Sequence, residues 1–139
     1  MHLICEEGWE EHGGKSYKFL TSKASWEDSR SFCRDLGGDL VKIDSREEQE
    51  FLLERIKSKI NDDEHVFWIG LTDSETEGTW LWVDGSPLDE SFWIGGEPNN
   101  GVGLFGLREN CVALKRLELQ SWNDQPCSSP ARRICEISL

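Results

Sequence analysis

The stretch Val66-Phe67-Trp68-Ile69-Gly70-Leu71 separates two hydrophobic patterns in this 139-residue chain. Before it, two segments repeat apolar residues three to four positions apart, as amphipathic helices do. From this stretch onward, short apolar runs are divided by Gly, Pro, Asp and Asn, which is typical of strands. Because the two patterns are segregated instead of alternating, the sequence predicts an α+β fold of two helices with antiparallel strands.

The predicted helices are marked by their capping residues. Ser25 with Asp28 begins the first helix, and Gly37-Gly38 ends it. Ser45 with Glu48 begins the second, which ends at the polar run 61–64. The predicted apolar stripes are Phe32, Cys33 and Leu36 in the first helix and Leu52, Leu53, Ile56 and Ile60 in the second. The predicted strands are residues 16–19, 66–71, 80–83, 111–114 and 133–137.

The chain contains seven tryptophans, and four of them lie within these helix or strand patterns. Large aromatic side chains in such positions usually belong to the core. The predicted core tryptophans are Trp26, Trp68, Trp80 and Trp82. Trp93 and Trp122 flank acidic loops and are not assigned to the core.

Length and charge limit the classes of function. The chain has the size of a single domain, residues 1–139, with one hydrophobic core. It has 15 basic and 27 acidic residues, a net charge of −12, which disfavours nucleic acid and anionic membranes as partners and favours cations. No apolar run approaches the roughly 18 residues that would span a bilayer.

Five cysteines are present without a CxxC pair or a histidine at zinc spacing: Cys5, Cys33, Cys111, Cys127 and Cys135. Disulfides are therefore favoured over a metal or redox site. Disulfides persist in oxidising compartments, so the sequence predicts an extracellular protein, either secreted or the ectodomain of a membrane receptor.

Oxygen-bearing side chains are concentrated in three places: Glu97-Pro98-Asn99-Asn100, Glu109, and Trp122-Asn123-Asp124. Carboxylate and amide oxygens suit Ca²⁺, which takes about 6–8 of them, whereas zinc or copper prefers histidine or thiolate. The first two places belong to a long connection, residues 84–110, and long ordered loops are usually functional. The sequence therefore predicts a calcium site built on loops.

Taken together, residues 68–71, 97–99 and 122–124 and the cysteine spacing resemble a C-type lectin carbohydrate-recognition domain of the mannose-type, calcium-dependent class. The resemblance runs from Cys5 to Ile137. Residues 40–43 and 45–49 are also similar to the type II receptors of myeloid cells and their fish relatives.

The resemblance implies disulfides Cys33–Cys135 and Cys111–Cys127. It leaves Cys5 unpaired, because Ser16 occupies the place of its usual mate. Cys5 then either joins another chain, making an oligomer, or is a free thiol. A stalk outside this sequence is a second possible source of an oligomer.

The resemblance also implies the ligand sets. The principal Ca²⁺ is expected to bind Glu97, Asn99, Glu109, Asn123 and Asp124, and the same residues are expected to contact the sugar hydroxyls. A second Ca²⁺ is expected at Asp73, Glu77, Asn100 and Asn110, but Asn110 stands where many relatives carry Asp, which lowers the charge of that site. A plain solvated turn is the alternative for Asp73 and Glu77.

The apolar insert 101–108 is the least ordinary stretch. An exposed apolar group beside a binding site often marks a contact surface. Phe105 is therefore predicted to touch a second sugar or an aglycone, and the alternative is a loop that folds back on itself.

The function that follows is calcium-dependent binding of mannose-type glycans, including mannose, fucose and N-acetylglucosamine, in innate immunity. The alternative is a receptor domain of the same fold that recognises a protein without sugar. Glycosidase chemistry by Glu97 and Glu109 is disfavoured, because it needs one carboxyl with a raised pKa and calcium would keep both ionised.

Overall fold

The computed structural model describes residues 8–60, 66–76, 78–95, 110–115 and 117–139. Within these ranges two helices and eight strands are found. In chain order they are β1 (Trp9–His12), β2 (Lys15–Ala24), α1 (Trp26–Asp35), β3 (Asp39–Leu40), α2 (Arg46–Lys59), β4 (Phe67–Thr72), β5 (Leu81–Trp82), β6 (Cys111–Leu114), β7 (Trp122–Gln125) and β8 (Ala131–Ser138). The predicted α+β class is confirmed.

The sheet follows the order β1-β2-β8-β4-β6-β7, with β3 paired to β8 and β5 paired to β4. All of these pairs are antiparallel except β4 with β8, in which Phe67 lies opposite Arg132 and Trp68 opposite Arg133. The predicted antiparallel strands are present, and the single parallel pair of β4 with β8 makes the sheet mixed, which the sequence did not predict. The reason is long-range: the last strand inserts between β2 and β4, a placement that no local pattern encodes.

Both helices begin at the predicted caps. The Ser25 hydroxyl accepts a hydrogen bond from the Asp28 amide at 3.2 Å, and the Ser45 hydroxyl accepts one from the Glu48 amide at 3.1 Å. These bonds satisfy amides that the helix itself leaves without partners. Helix α2 buries Leu52, Leu53 and Ile56 as predicted.

The predicted apolar stripe of α1 was wrong in two of its three residues. Phe32 and Leu36 are 37% and 38% exposed, and α1 instead buries Trp26, Ser29 and Cys33. The Arg133 guanidinium lies 4.3 Å from the centre of the Phe32 ring, within the range of a cation–π contact. This contact covers the ring at the surface without bringing it into the core.

The two disulfides implied by the resemblance are present. Cys33–Cys135 joins α1 to β8, and Cys111–Cys127 joins β6 to the segment after β7. The second closes a short loop that contains all of β7. Cys5 lies outside the described residues, so its pairing stays a prediction.

Tryptophans fill much of the core. Trp26, Trp68 and Trp82 are buried as predicted, whereas Trp80 is only partly buried. Trp122, which the sequence pattern did not assign to the core, is completely buried.

A buried charge cluster links β2, α2 and β8 and is called the Lys15 cluster. Its members are Lys15, Tyr17, Glu48 and Glu136. The Lys15 ammonium donates to Glu48 at 3.0 Å and to Glu136 at 3.1 Å, and the Tyr17 hydroxyl donates to Glu48 at 2.6 Å. Burial alone would lower the pKa of Lys15, but Glu136 and Glu48 outweigh it, so the pKa lies above its ordinary value. Burial and the bond to Glu48 raise the pKa of Tyr17.

Candidate calcium-binding site

Strand β7 carries Asn123 and Asp124, the two predicted ligands of the principal Ca²⁺ that lie within the described residues. The other three, Glu97, Asn99 and Glu109, lie outside the described residues, as does Phe105. The antiparallel partner β6 places Ala113 opposite Asn123 and Val112 opposite Asp124. Because β6 is itself an interior strand that also pairs with β4, the two candidate ligands sit on a rigid support.

Both side chains are withdrawn from solvent. Asn123 is 7% exposed and Asp124 is 0% exposed. The Asn123 Oδ1 atom accepts a hydrogen bond from the Gln125 Nε2 atom at 3.1 Å. An amide oxygen has two lone pairs, so this bond leaves Oδ1 able to meet a cation as well. A buried carboxylate beside such an amide is a donor set that fits Ca²⁺ and fits zinc or copper poorly.

The beginning of β7 is joined to the segment that leads towards Glu97. The amides of Ser121 and Trp122 both donate to the Phe92 carbonyl, at 2.8 and 2.9 Å. In return, the Ile94 amide donates to the Trp122 carbonyl at 2.8 Å. Residues 92–94 and 121–122 thus form a short pairing that the sequence did not predict, and it fixes the beginning of β7.

Asp73 and Asn110 of the predicted second site are in direct contact. The Asn110 Nδ2 atom donates to the Asp73 Oδ1 atom at 2.8 Å, and the Gly78 amide donates to the Asp73 Oδ2 atom at 2.8 Å. The Asp73 amide also donates to the Asn110 carbonyl at 3.1 Å. Each carboxylate oxygen of Asp73 therefore already accepts a hydrogen bond, one of them from the Asn110 side chain.

The remaining second-site residues, Glu77 and Asn100, lie outside the described residues, so a second Ca²⁺ stays a prediction. Among the residues that the structure describes, no group of three His, Cys, Asp or Glu side chains is placed to hold a metal by itself. For the described part of the chain, no helix is long and apolar enough to cross a membrane.

A separate cleft of about 430 Å³ lies against the Cys111–Cys127 disulfide. Its walls are mainly apolar and include Trp26, Leu81 and Val83. Neither Asn123 nor Asp124 lines this cleft.

With this arrangement established, comparison with known proteins identifies the class. A family model for the lectin C-type domain matches residues 22–137, and the chain belongs to the C-type lectin domain family, whose members are binding modules. It is 42% identical over 137 residues to C-type lectin domain family 4 member E of Mus musculus, a match that covers 96% of this chain and 60% of that protein. The chain thus spans less than two thirds of this relative's length.

Solved structures of C-type lectin domains share this fold. The carbohydrate-recognition domain of the mouse scavenger receptor C-type lectin superposes with a TM-score of 0.85 at 38% identity, covering 96% of this chain and 98% of that one. The corresponding domain of cow CD23, solved in the presence of a GlcNAc2Man3 oligosaccharide, superposes with a TM-score of 0.81 at 38% identity, covering 97% and 96%.

Proposed function

We propose that this domain binds mannose-type glycans through a calcium ion held at the end of β7, as an extracellular recognition module. The observation that carries the proposal is the pair of buried oxygen ligands, Asn123 and Asp124, on a strand fixed by β6 and a disulfide in a chain of the C-type lectin family. C-type lectin domains generally bind Ca²⁺ and bind glycans. An extracellular setting suits the two disulfides, and a role in innate immunity belongs to the same proposal.

In this proposal Glu97, Asn99 and Glu109 complete the principal ligand set begun by Asn123 and Asp124. Bound Ca²⁺ supplies a cation that accepts sugar hydroxyl oxygens into its shell. The carboxylates of Glu97 and Glu109 accept hydrogen bonds from those hydroxyls, while the amide N–H groups of Asn99 and Asn123 donate to them.

Selectivity is proposed to follow from the order acid, proline, amide at residues 97–99. The resemblance associates this order with vicinal equatorial hydroxyls, as in mannose, fucose and N-acetylglucosamine. The oligosaccharide present with the cow CD23 domain contains mannose, which supports a ligand of this class. A single shallow site is expected to bind a monosaccharide at about millimolar affinity, so useful avidity would require several domains. Phe105 is proposed to add a contact beside the site, and Cys5 to link chains.

Retention on immobilised mannose, with calcium and with chelator, tests the proposal. The wild type should be retained only with calcium. Calcium at 100 times its Kd should also raise the free energy of unfolding by about 2.7 kcal/mol. Asp124→Asn should lose retention, whereas the exposed control Glu54→Gln should keep it. Retention that persists in chelator would contradict the calcium mechanism.

The double variant Glu97→Gln with Asn99→Asp tests selectivity separately. Reversing the acid and the amide should weaken mannose binding and admit galactose on a glycan array. A wild type that binds calcium but no glycan would favour the alternative, a receptor domain that recognises protein.

A further inference from the structure

Gln49 is a fully buried amide on α2, although its neighbours in the sequence are charged. Its Nε2 atom donates to the Leu119 carbonyl at 3.0 Å and to the Ser121 hydroxyl at 2.6 Å. Its Oε1 atom accepts from the Trp122 indole Nε1 atom at 3.1 Å. A buried amide is costly unless its groups are paired, and all three of these bonds reach the segment that opens β7.

Trp122 receives its orientation from this bond and from three rings. Trp82, Phe92 and Trp93 meet it edge to face, with centroids 5.7, 5.4 and 5.7 Å away and interplanar angles of 86°, 81° and 86°. Ring contacts of this kind are adaptable in angle and distance. The directional bond from Gln49 selects one orientation of the indole.

The backbone of Trp122 connects β7 to residues 92–94. It pairs with Phe92 and Ile94, which precede Glu97, and it is followed directly by Asn123 and Asp124. A shift of Trp122 would therefore change the position of Asn123 and Asp124 relative to the segment leading to Glu97.

We propose that Gln49 is a positioning residue for the calcium site. It acts through Trp122 and Ser121 and fixes the position of Asn123 and Asp124 relative to residues 92–94 before any ion binds. The inference rests on the proposed function, since it assumes that Asn123 and Asp124 bind calcium. An apolar residue at position 49 would fill the space but would leave the Trp122 N–H and the Ser121 hydroxyl without this partner.

Substitution of outer residues that orient metal ligands typically weakens metal affinity by about 10- to 100-fold. Gln49 acts one residue further away, so we expect Gln49→Met, which matches its length, to weaken calcium binding by about tenfold. Gln49→Glu keeps an acceptor for the indole but turns a carboxylate oxygen towards the Leu119 carbonyl, so we expect its melting temperature in chelator to fall below that of the wild type. Leu52→Ala is the matched control, because Leu52 is also fully buried on α2 but is an apolar core residue of that helix.

The experiment measures three quantities for wild type, Gln49→Met, Gln49→Glu and Leu52→Ala. They are the calcium Kd by titration calorimetry, the melting temperature in chelator, and the NMR shift of the Trp122 indole N–H in chelator. Support requires that Gln49→Met weakens calcium binding and moves the indole resonance without calcium. Leu52→Ala should lower the melting temperature while its calcium Kd stays within twofold of the wild type.

A calcium Kd within twofold of the wild type in Gln49→Met, or an equal loss in Leu52→Ala, overturns the inference and leaves the proposed function standing. A wild type that does not bind calcium overturns both. If Gln49→Met does not fold, Ser121→Ala takes its place, because it removes one bond to Gln49 and little volume. Its calcium affinity must then fall at least threefold for the inference to hold.

Discussion

Buried carboxylates occur in two different surroundings in this domain. In the Lys15 cluster, Glu48 and Glu136 face an ammonium group that balances charge as well as donating hydrogen bonds. Asp73 instead meets the Asn110 amide and the Gly78 amide, which donate hydrogen bonds but carry no net charge. In the first arrangement one ammonium offsets part of the charge of two carboxylates, whereas the described hydrogen bonds to Asp73 come from neutral amides. Of these two places, we therefore expect the one at Asp73 to respond more strongly to added cations.

The largest expected effect is on the Lys15 cluster. Lys15→Met removes the cation that Glu48 and Glu136 share and leaves the two largely buried carboxylates with only neutral hydrogen-bond donors. We expect the free energy of unfolding to fall by about 3 kcal/mol, with calcium affinity unchanged. Urea denaturation of this variant, beside the exposed control Lys57→Met, measures the loss. A decrease below about 1 kcal/mol would mean that the cluster is not a strongly coupled ion pair.

An intermediate effect is expected where Asp73 meets Asn110. Asn110→Asp replaces a hydrogen-bond donor by a second carboxylate, so in chelator the domain should lose about 1–3 kcal/mol. Calcium should then restore more stability than it gives the wild type, because the added charge creates an attractive cation site.

Asn110→Ala is the control for that variant. It loses the same donor without adding charge, so its response to calcium should equal that of the wild type. Thermal melts at several calcium concentrations compare the two variants. Equal calcium responses in Asn110→Asp and Asn110→Ala would show that the charge at this position does not govern ion binding.

The smallest expected effect is the response to alkaline pH. The pKa values of Lys15 and Tyr17 are raised by folding, so the stability they contribute is complete below their ordinary values near 10 and is lost as pH rises above them. We expect Lys15 to account for about 1 kcal/mol of lost stability by pH 11. In chelator, the urea midpoint of Lys15→Met should fall less steeply with pH between pH 8 and 11 than that of the wild type. An identical slope in both proteins would contradict the raised pKa of Lys15.

Features that depend on near neighbours were predictable from the sequence. Ser25 and Ser45 cap their helices through residues three positions away, so a local pattern is enough to recognise them. The exposure of Phe32 was missed because its covering group, Arg133, lies about a hundred positions later in the chain. The parallel pairing of β4 with β8 was missed for the same reason.

The sequence predicted which side chains could bind calcium, but it did not predict which buried residues hold them in place. Asn123 and Asp124 stand out because carboxylate and amide oxygens are the ligands that calcium prefers. Trp122 lies beside them and looked like part of an acidic loop, yet it is a central core residue. Gln49 gave no signal, since a glutamine among charged residues on a helix is typical of a solvated face and its partners are some seventy positions away.

The path of the chain through β2 and β8 has a mechanical consequence. The chain enters the sheet through β1, where Trp9 lies opposite Lys18, and leaves it through β8, where Ser138 lies opposite Lys15. Strand β2 lies between these two strands, so a force pulling the ends apart loads it from both sides. Separation of these strands cannot extend the residues between Cys33 and Cys135, because the disulfide between the two cysteines carries the load. Only the residues before Cys33, which include most of α1, and those after Cys135 can be stretched. Helix α2, β4 and the candidate ligands lie inside the cross-linked segment and are shielded from tension.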